Sequence, residues 1–577
     1  MKRNLPNFSL SFFTALLLAL FVSLPETARA YSVLSHEEVV DMAWKQEIVP
    51  MLKSRFPGIS DDDIRIAHAY AYGGSVIQDI GYYPFGSHYF SDLLHYVRPG
   101  DFVNALIRDS STPNEYAFAL GALAHFCGDT IGHPYVNQVT AYENPRLFRR
   151  YGKSVTYAED PTAHLRTEFG FDVVEVAHGH YSQENYRDFI GFQVSKPLLE
   201  RAVFETYGIP VSDIITRENL AISTYRRAVS SLIPQMTRVA YVNYKNQIQG
   251  AAPGVTKDKF IYRLDQTEYS KSFGTDYTRV GFRGRILAFI LRIVPKVGPF
   301  RALKLHIPNP EEQDLYLKSV NSVVDQYKIY LAQIHAKPMA LPPPDPKDAT
   351  DARAASDKLA KDVSKYNKLA DHAKDPADKA KKVQVAANVE DTAAKADAAA
   401  ARTEARVAAA QLASPDPASH SALPSPIGST AISVRPPSTP ILPKLDLDTG
   451  KPARAGEYLL ADETYARLLN ELTRTVSNHP ASKQPGSLSS SFTTSASRVP
   501  STSNAPHSST ALGPTSSVPS RPIEPALAKD IKQFFAHPLS PVGLPLTHKQ
   551  AERHTALERQ ITVDLATFDT LQANPKN

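Results

Sequence analysis

The sequence predicts an all-α domain followed by a long, largely disordered tail, and three observations carry that prediction. Apolar residues recur at helical spacing from Tyr31 to about His335, with no run of alternating strands. Of 53 aromatic residues only seven follow Tyr330, so 46 stand in the first 330 positions and the core material is concentrated there. Residues 414–525 are rich in Ser, Pro and Thr with almost no large apolar side chains, a composition that cannot bury enough surface to fold. At 577 residues the length alone would allow roughly three or four domains. The distribution of aromatics reduces that to one.

The elements follow in chain order. Residues 1–30 read as a signal peptide: Lys2 and Arg3 precede an apolar run over 10–22, and Ala28-Arg29-Ala30 has the small-x-small form of a cleavage site. The run is too short for a comfortable membrane span, so a secreted or periplasmic protein beginning at Tyr31 is expected. Ser35-His36-Glu37-Glu38 places a capping residue and early acids before a helix to Met51, and Asp61-Asp62-Asp63 opens another past Ala71. Residues 114–133 carry few charges and read as a buried central helix. Further helices are expected at 161–176, 183–206, 218–242 and 311–334.

The domain is expected to span 31–337. An Ala/Lys/Asp-rich stretch at 338–413, entered through Pro342-Pro343-Pro344, is a helical or disordered linker. The disordered region 414–525 follows, then a C-terminal helical segment at 526–577, whose helix could run over about 523–571 but shows no evident core to join. Net charge is only +5, which gives no support to a stable nucleic-acid complex. The single cysteine, Cys127, excludes intrachain disulfides and cysteine-rich zinc modules.

Histidines carry the chemistry. Of 18, nine fall between positions 36 and 180. His125, Asp129 and His133 stand at i, i+4 and i+8, and since four residues advance about 40° beyond one turn, all three share one face of an otherwise apolar helix. Burying these groups without partners costs several kcal/mol, at about 1–3 kcal/mol or more each, and a divalent cation is an effective partner for imidazole and carboxylate. His164 and Glu168 repeat the i, i+4 spacing. Nitrogen and oxygen donors without thiolate suit zinc best, with manganese or iron as lesser options.

The chain from Tyr31 to Glu168 resembles the zinc-dependent phospholipase C family, whose superfamily includes zinc nucleases specific for single strands and 3′-nucleotides. The resemblance rests on His36 five positions after Tyr31, on Asp79 followed by Tyr82-Tyr83 and Ser87-His88-Tyr89, on His125 through His133, and on His164-Leu165-Arg166-Thr167-Glu168. It implies an all-α enzyme with three zinc ions. The implied ligands are Tyr31 through its amino group and carbonyl, His36, Asp79, His88, His125, Asp129, His133, His164 and Glu168. Cleavage before Tyr31 would thereby create a ligand. Departures are Tyr31 in place of Trp, and three residues rather than five between Asp129 and His133. His95 resembles the nuclease ligand more closely than His88 does, with His88 preferred on the phospholipase pattern.

By that resemblance Asp79 both holds a zinc and orients or deprotonates the attacking water, so Asp79 is the catalytic candidate. A phospholipid or another phosphodiester is the expected substrate. Residues 284–297 are apolar with basic residues at intervals and fit either a transient membrane-surface contact or a core helix. The alternatives to a phospholipase C are a nuclease or 3′-nucleotidase of the same superfamily and a non-catalytic metal-binding envelope protein.

Overall fold

The computed structural model describes residues 33–178, 192–228, 246, 308–336, 346–372, scattered positions from 379 to 404, 442–477, 523–537, 539 and 548–573. Tyr31, the segments 1–30 and 284–297, and residues 229–242 of an expected helix lie outside them. The chain divides into two compact units, Met1–Thr464 and Tyr465–Asn577. Among the described residues there are helices, turns and one isolated bridge, Leu445 to Pro452, with no strand.

In the first unit the order is α1 (Val33–Ala43), a π-helical turn (Trp44–Ile48), α2 (Val49–Arg55), α3 (Asp61–Ser75), a 3₁₀ turn (Ile77–Tyr82), α4 (His88–Tyr96), α5 (Pro99–Asp109) and α6 (Pro113–Glu143). Then come α7 (Pro145–Tyr151), α8 (Pro161–His178), α9 (Lys196–Tyr207), α10 (Val211–Ile214), α11 (Glu218–Arg227), α12 (Pro310–Ala336) and α13 (Pro346–Asp371). The last helix to begin here, α14, spans Leu459–Ser477.

Local chemistry sets the two helices on which the site depends. Ser60 caps α3 reciprocally with Asp63, and Thr112 caps α6 reciprocally with Glu115, with Pro113 at the first helical position. The 31 residues of α6 run through Pro134, ten positions beyond the helix expected to stop at His133, and its buried residues are spread around its circumference. α3 lies against it with backbones touching: a Cβ built on Gly74 would sit 1.9 Å from Phe118 O, and one on Gly121 would sit 2.0 Å from Ala71 O. Only glycine permits that approach. α12 closes another side, with Tyr327 donating its hydroxyl to Leu120 O at 2.9 Å.

Two expectations need correction at this level. Ser35 does not cap a helix; it lies inside α1, buried, with its hydroxyl 3.2 Å from Asp172 Oδ1 and 2.7 Å from the Tyr316 hydroxyl. Residues 414–525 contain ordered chain. Within the first unit a strap over 442–458 has Leu442, Leu447, Asp446 and Asp448 buried, and α14 begins directly after it. Leu442 and Leu447 supply apolar area that the average composition of the surrounding region conceals.

The second unit contains most of α14, α15 (Pro525–Phe534) and α16 (His548–Ala573). The C-terminal helix expected to lack a core is thus two helices with partners. Tyr465 stacks on Phe534 at 3.7 Å, Asn470 donates to Asp564 at 3.0 Å, and Leu527, Ile531 and Phe568 are buried.

Candidate metal centre

Five elements bring ionisable side chains to one buried place. α1 supplies His36, the 3₁₀ turn Asp79, α4 His95, α6 His125, Asp129 and His133, and α8 His164 and Glu168; each is at most 2 % exposed. The 3₁₀ turn is fixed against α6 by Gln78, whose amide donates to Ala122 O at 3.0 Å. That anchor turns Asp79 inward.

Asp129 is the hub. Its Oδ1 lies 3.3 Å from Nε2 of both His36 and His133, and its Oδ2 lies 3.2 Å from His95 Nε2 and 3.0 Å from His125 Nε2. Asp79 Oδ1 is 3.4 Å from His95 Nε2. Farther along α6, Glu168 Oε1 lies 3.5 Å from His133 Nε2 and 2.8 Å from His164 Nε2. The rings of His36 and His125 stack at 4.2 Å.

The opposite ring nitrogens are held from outside. His95 Nδ1 donates to Ser91 O at 2.7 Å and His125 Nδ1 to Ser75 O at 2.9 Å, which keeps a proton on each Nδ1 and leaves each Nε2, facing the carboxylates, as the position a cation would take. Both oxygens of Asp79, of Asp129 and of Glu168, and Nε2 of His95 and His125, are buried yet make no hydrogen bond among the described residues. Donor atoms that converge without bonding one another are what a cation site requires. Three groups have ligand atoms all within 4.8 Å of each other: His36 with His125 and Asp129; Asp79 with His95 and His125; and His133 with His164 and Glu168. Imidazole nitrogen and carboxylate oxygen fit zinc.

Burial sets the electrostatics. It pushes Asp79 and Glu168 above the ordinary carboxylate range, and it lowers His36 and His164 to about 3, with His125 and His133 respectively adding like charge. Burial opposes protonation of His133 too, yet Asp129, Asp448 and Glu168 raise it to about 10. Desolvation likewise disfavours the Asp129 carboxylate, but His125 and His133 hold it well below its usual value.

The structure brings together seven of the nine residues expected as ligands. Tyr31 lies outside the described residues. His88 does not join: it begins α4, edge-on to Tyr82 at 5.4 Å, while His95 in the last turn of that helix enters the cluster in its place. The reason is helical phase, since seven residues complete nearly two turns and the buried end of α4 is its C-terminal one. The shorter spacing to His133 does not keep it away; on a continuous α6 it meets Glu168. His68 belongs to a separate contact, with Nε2 2.9 Å from Asp41 Oδ1 and its ring stacked on Trp44 at 3.8 Å. Asp448 escaped the sequence reading altogether and stands 3.2 Å from His133 Nδ1.

Fold and site together define a helical domain able to hold a metal cluster inside its core. Residues 35–215 match the family model described as zinc dependent phospholipase C, so this segment of the chain is similar to that family. No curated protein and no solved structure matches the chain.

Proposed function

We propose that the protein is an exported zinc phosphodiesterase, a phospholipase C that hydrolyses the glycerol-side phosphoester bond of a phospholipid. The observation that carries this reading is the set of three adjoining donor groups around Asp129 inside the segment that matches the family. His36 and Asp129 would hold one ion, Asp79 and His95 a second, and His133, His164 and Glu168 a third, with the single Nε2 lone pair of His125 within reach of either of the first two. Bound zinc supplies Lewis acidity toward phosphoryl oxygens and makes water a better nucleophile near neutral pH.

The chain's own residues divide the remaining work. Asp79 is the proposed base: burial raises its proton affinity and His95 holds its Oδ1 side, so it can orient a water and take its proton. Ser91 O and Ser75 O keep His95 and His125 in the tautomer that presents Nε2 inward. Export would follow cleavage after Ala30, which frees the Tyr31 amino group as a further ligand. Among the described residues no helix is long and apolar enough to cross a membrane.

The burial of every described donor favours a second reading, a metal-binding envelope protein without catalysis. Purified mature protein separates the two. Zinc analysis with hydrolysis of a chromogenic phosphocholine ester and of a 3′-nucleotide should show bound zinc and release from the ester. Bound zinc with neither activity refutes the enzyme, and release from the nucleotide alone moves the substrate to the nuclease branch.

A further inference from the structure

The metal centre has a wall made from a part of the chain far outside the family match. The strap over 442–458 runs past α4 and α6, and its polar contacts go to the two helices that carry His95 and His133. Leu447 N donates to His95 O at 3.1 Å. Asn137, one turn after His133, donates its amide to Asp448 O at 2.8 Å across 311 positions of sequence. The buried Asp448 side chain uses both oxygens: Oδ1 lies 3.2 Å from His133 Nδ1, and Oδ2 accepts from Tyr96 at 2.8 Å and from Tyr458 at 2.5 Å. Gly450 makes the close approach possible, with φ +65° and a built Cβ only 2.3 Å from Thr130 O.

We propose that the 442–458 strap is a built part of the metal centre and that Asp448 is a positioning residue for His133, orienting its imidazole so that Nε2 faces Asp129 and Glu168. This rests on the metal-centre reading above. The argument is one of completion. His95 and His125 are oriented by backbone carbonyls of the helical domain itself, whereas the group that faces His133 Nδ1 comes from the strap. A carboxylate beside one ring nitrogen keeps the proton there and leaves the other as a ligand, and it also makes that ligand more basic. Tyr96 and Tyr458 donate to its other oxygen and so restrain the carboxylate beside the ring.

The test uses the full-length, zinc-loaded protein. Zinc affinity is measured by competition with a chromogenic chelator, and the site is then loaded with Co²⁺ to read its visible ligand-field bands. Asp448→Asn keeps the strap's backbone contacts while removing the charge. It should weaken one zinc by about 10–100-fold, leave the others in place and shift the Co²⁺ bands. Gly450→Ala, which forces the strap off Thr130 O without touching a donor, should weaken the same zinc. Lys444→Ala, at an exposed ion pair 3.8 Å from Asp101 on the same strap, should change nothing. Should Asp448→Asn fail to fold, Tyr96→Phe and Tyr458→Phe each remove one donor to Oδ2 and should weaken the same zinc by a smaller factor. Wild-type affinity and an unshifted spectrum in Asp448→Asn, or in both tyrosine variants if these are needed, overturn the proposal. Absence of zinc from the wild-type protein overturns the metal-centre reading instead, so the two failures are distinguishable.

Discussion

Replacing Asp129 by Asn tests the whole centre with one atom type changed. The amide keeps the shape of the side chain, but the charge that lies 3.0–3.3 Å from four imidazole nitrogens is gone. Truncating one partner of a buried charge pair costs about 3–5 kcal/mol, because the other is left uncompensated where water cannot reach it. At about 1.4 kcal/mol per decade, the zinc that depends on Asp129 should bind some two to three and a half decades more weakly. Dialysis against graded chelator, followed by elemental analysis, reads this directly. The variant should lose zinc at chelator concentrations the wild type withstands, while circular dichroism shows the helices intact. A metal-free comparison adds a sign. The Asp129 carboxyl is held well below its ordinary value in the folded chain, so its contribution is complete above about pH 4 and drains away as the pH falls further. The stability deficit of the metal-free variant should therefore shrink in strong acid. Retention of the wild-type zinc complement throughout the chelator series would refute the assignment of Asp129 as the hub.

Three further outcomes are expected. His95→Ala should lose zinc while His88→Ala keeps it, by the same elemental analysis; the reverse pattern would restore the phospholipase-type assignment and contradict the packing of α4. Gly121→Ala should lower the urea midpoint of the zinc-loaded protein. The gain in helix propensity, about 1 kcal/mol, is outweighed by a methyl placed 2.0 Å from Ala71 O, where overpacking costs about 1–3 kcal/mol or more, and an unchanged midpoint would mean that α3 and α6 are less tightly apposed. Zinc uptake at pH 7 should release protons, because neighbouring carboxylates raise His133 to about 10 and hold His95 above its usual value against the effect of burial. Affinity should then fall as the pH is lowered, and calorimetric heats should differ between buffers of unlike ionisation enthalpy; identical heats would contradict it.

Much of the helical frame was legible because its signals are local. Three aspartates opened α3 where expected, and the His125, Asp129, His133 spacing needs nothing but helical phase to put three donors on one face. What failed did so for physical reasons. His88 and His95 lie on one helix, and the choice between them depends on which end is buried, a tertiary fact. Ser35 has the composition of a cap but is consumed by Asp172 and Tyr316, partners 137 and 281 positions away. The central helix expected over 114–133 continues through Pro134 to Glu143, although a proline's missing donor and its ring disfavour a helix interior.

The strap shows why composition averaged over a long region misleads at a site. Loop closure grows only as about 1.5 RT ln n, so bringing Asp448 to Asn137 across 311 positions costs a flexible connection only about 2 kcal/mol more than one of thirty. Distance along the chain is thus a poor guide to whether a segment can dock. What decides it is whether the segment carries apolar area and a matched polar set, and 442–458 carries both: Leu442 and Leu447 to bury, and Asp448 with Tyr458 to meet Tyr96 of α4. If Asp448 strengthens zinc binding through His133, linkage requires that zinc strengthen the docking of the strap by the same factor. The segment between α13 and the strap then tethers a contact whose strength depends on metal, and that reciprocity follows from the position of one carboxylate against one ring nitrogen.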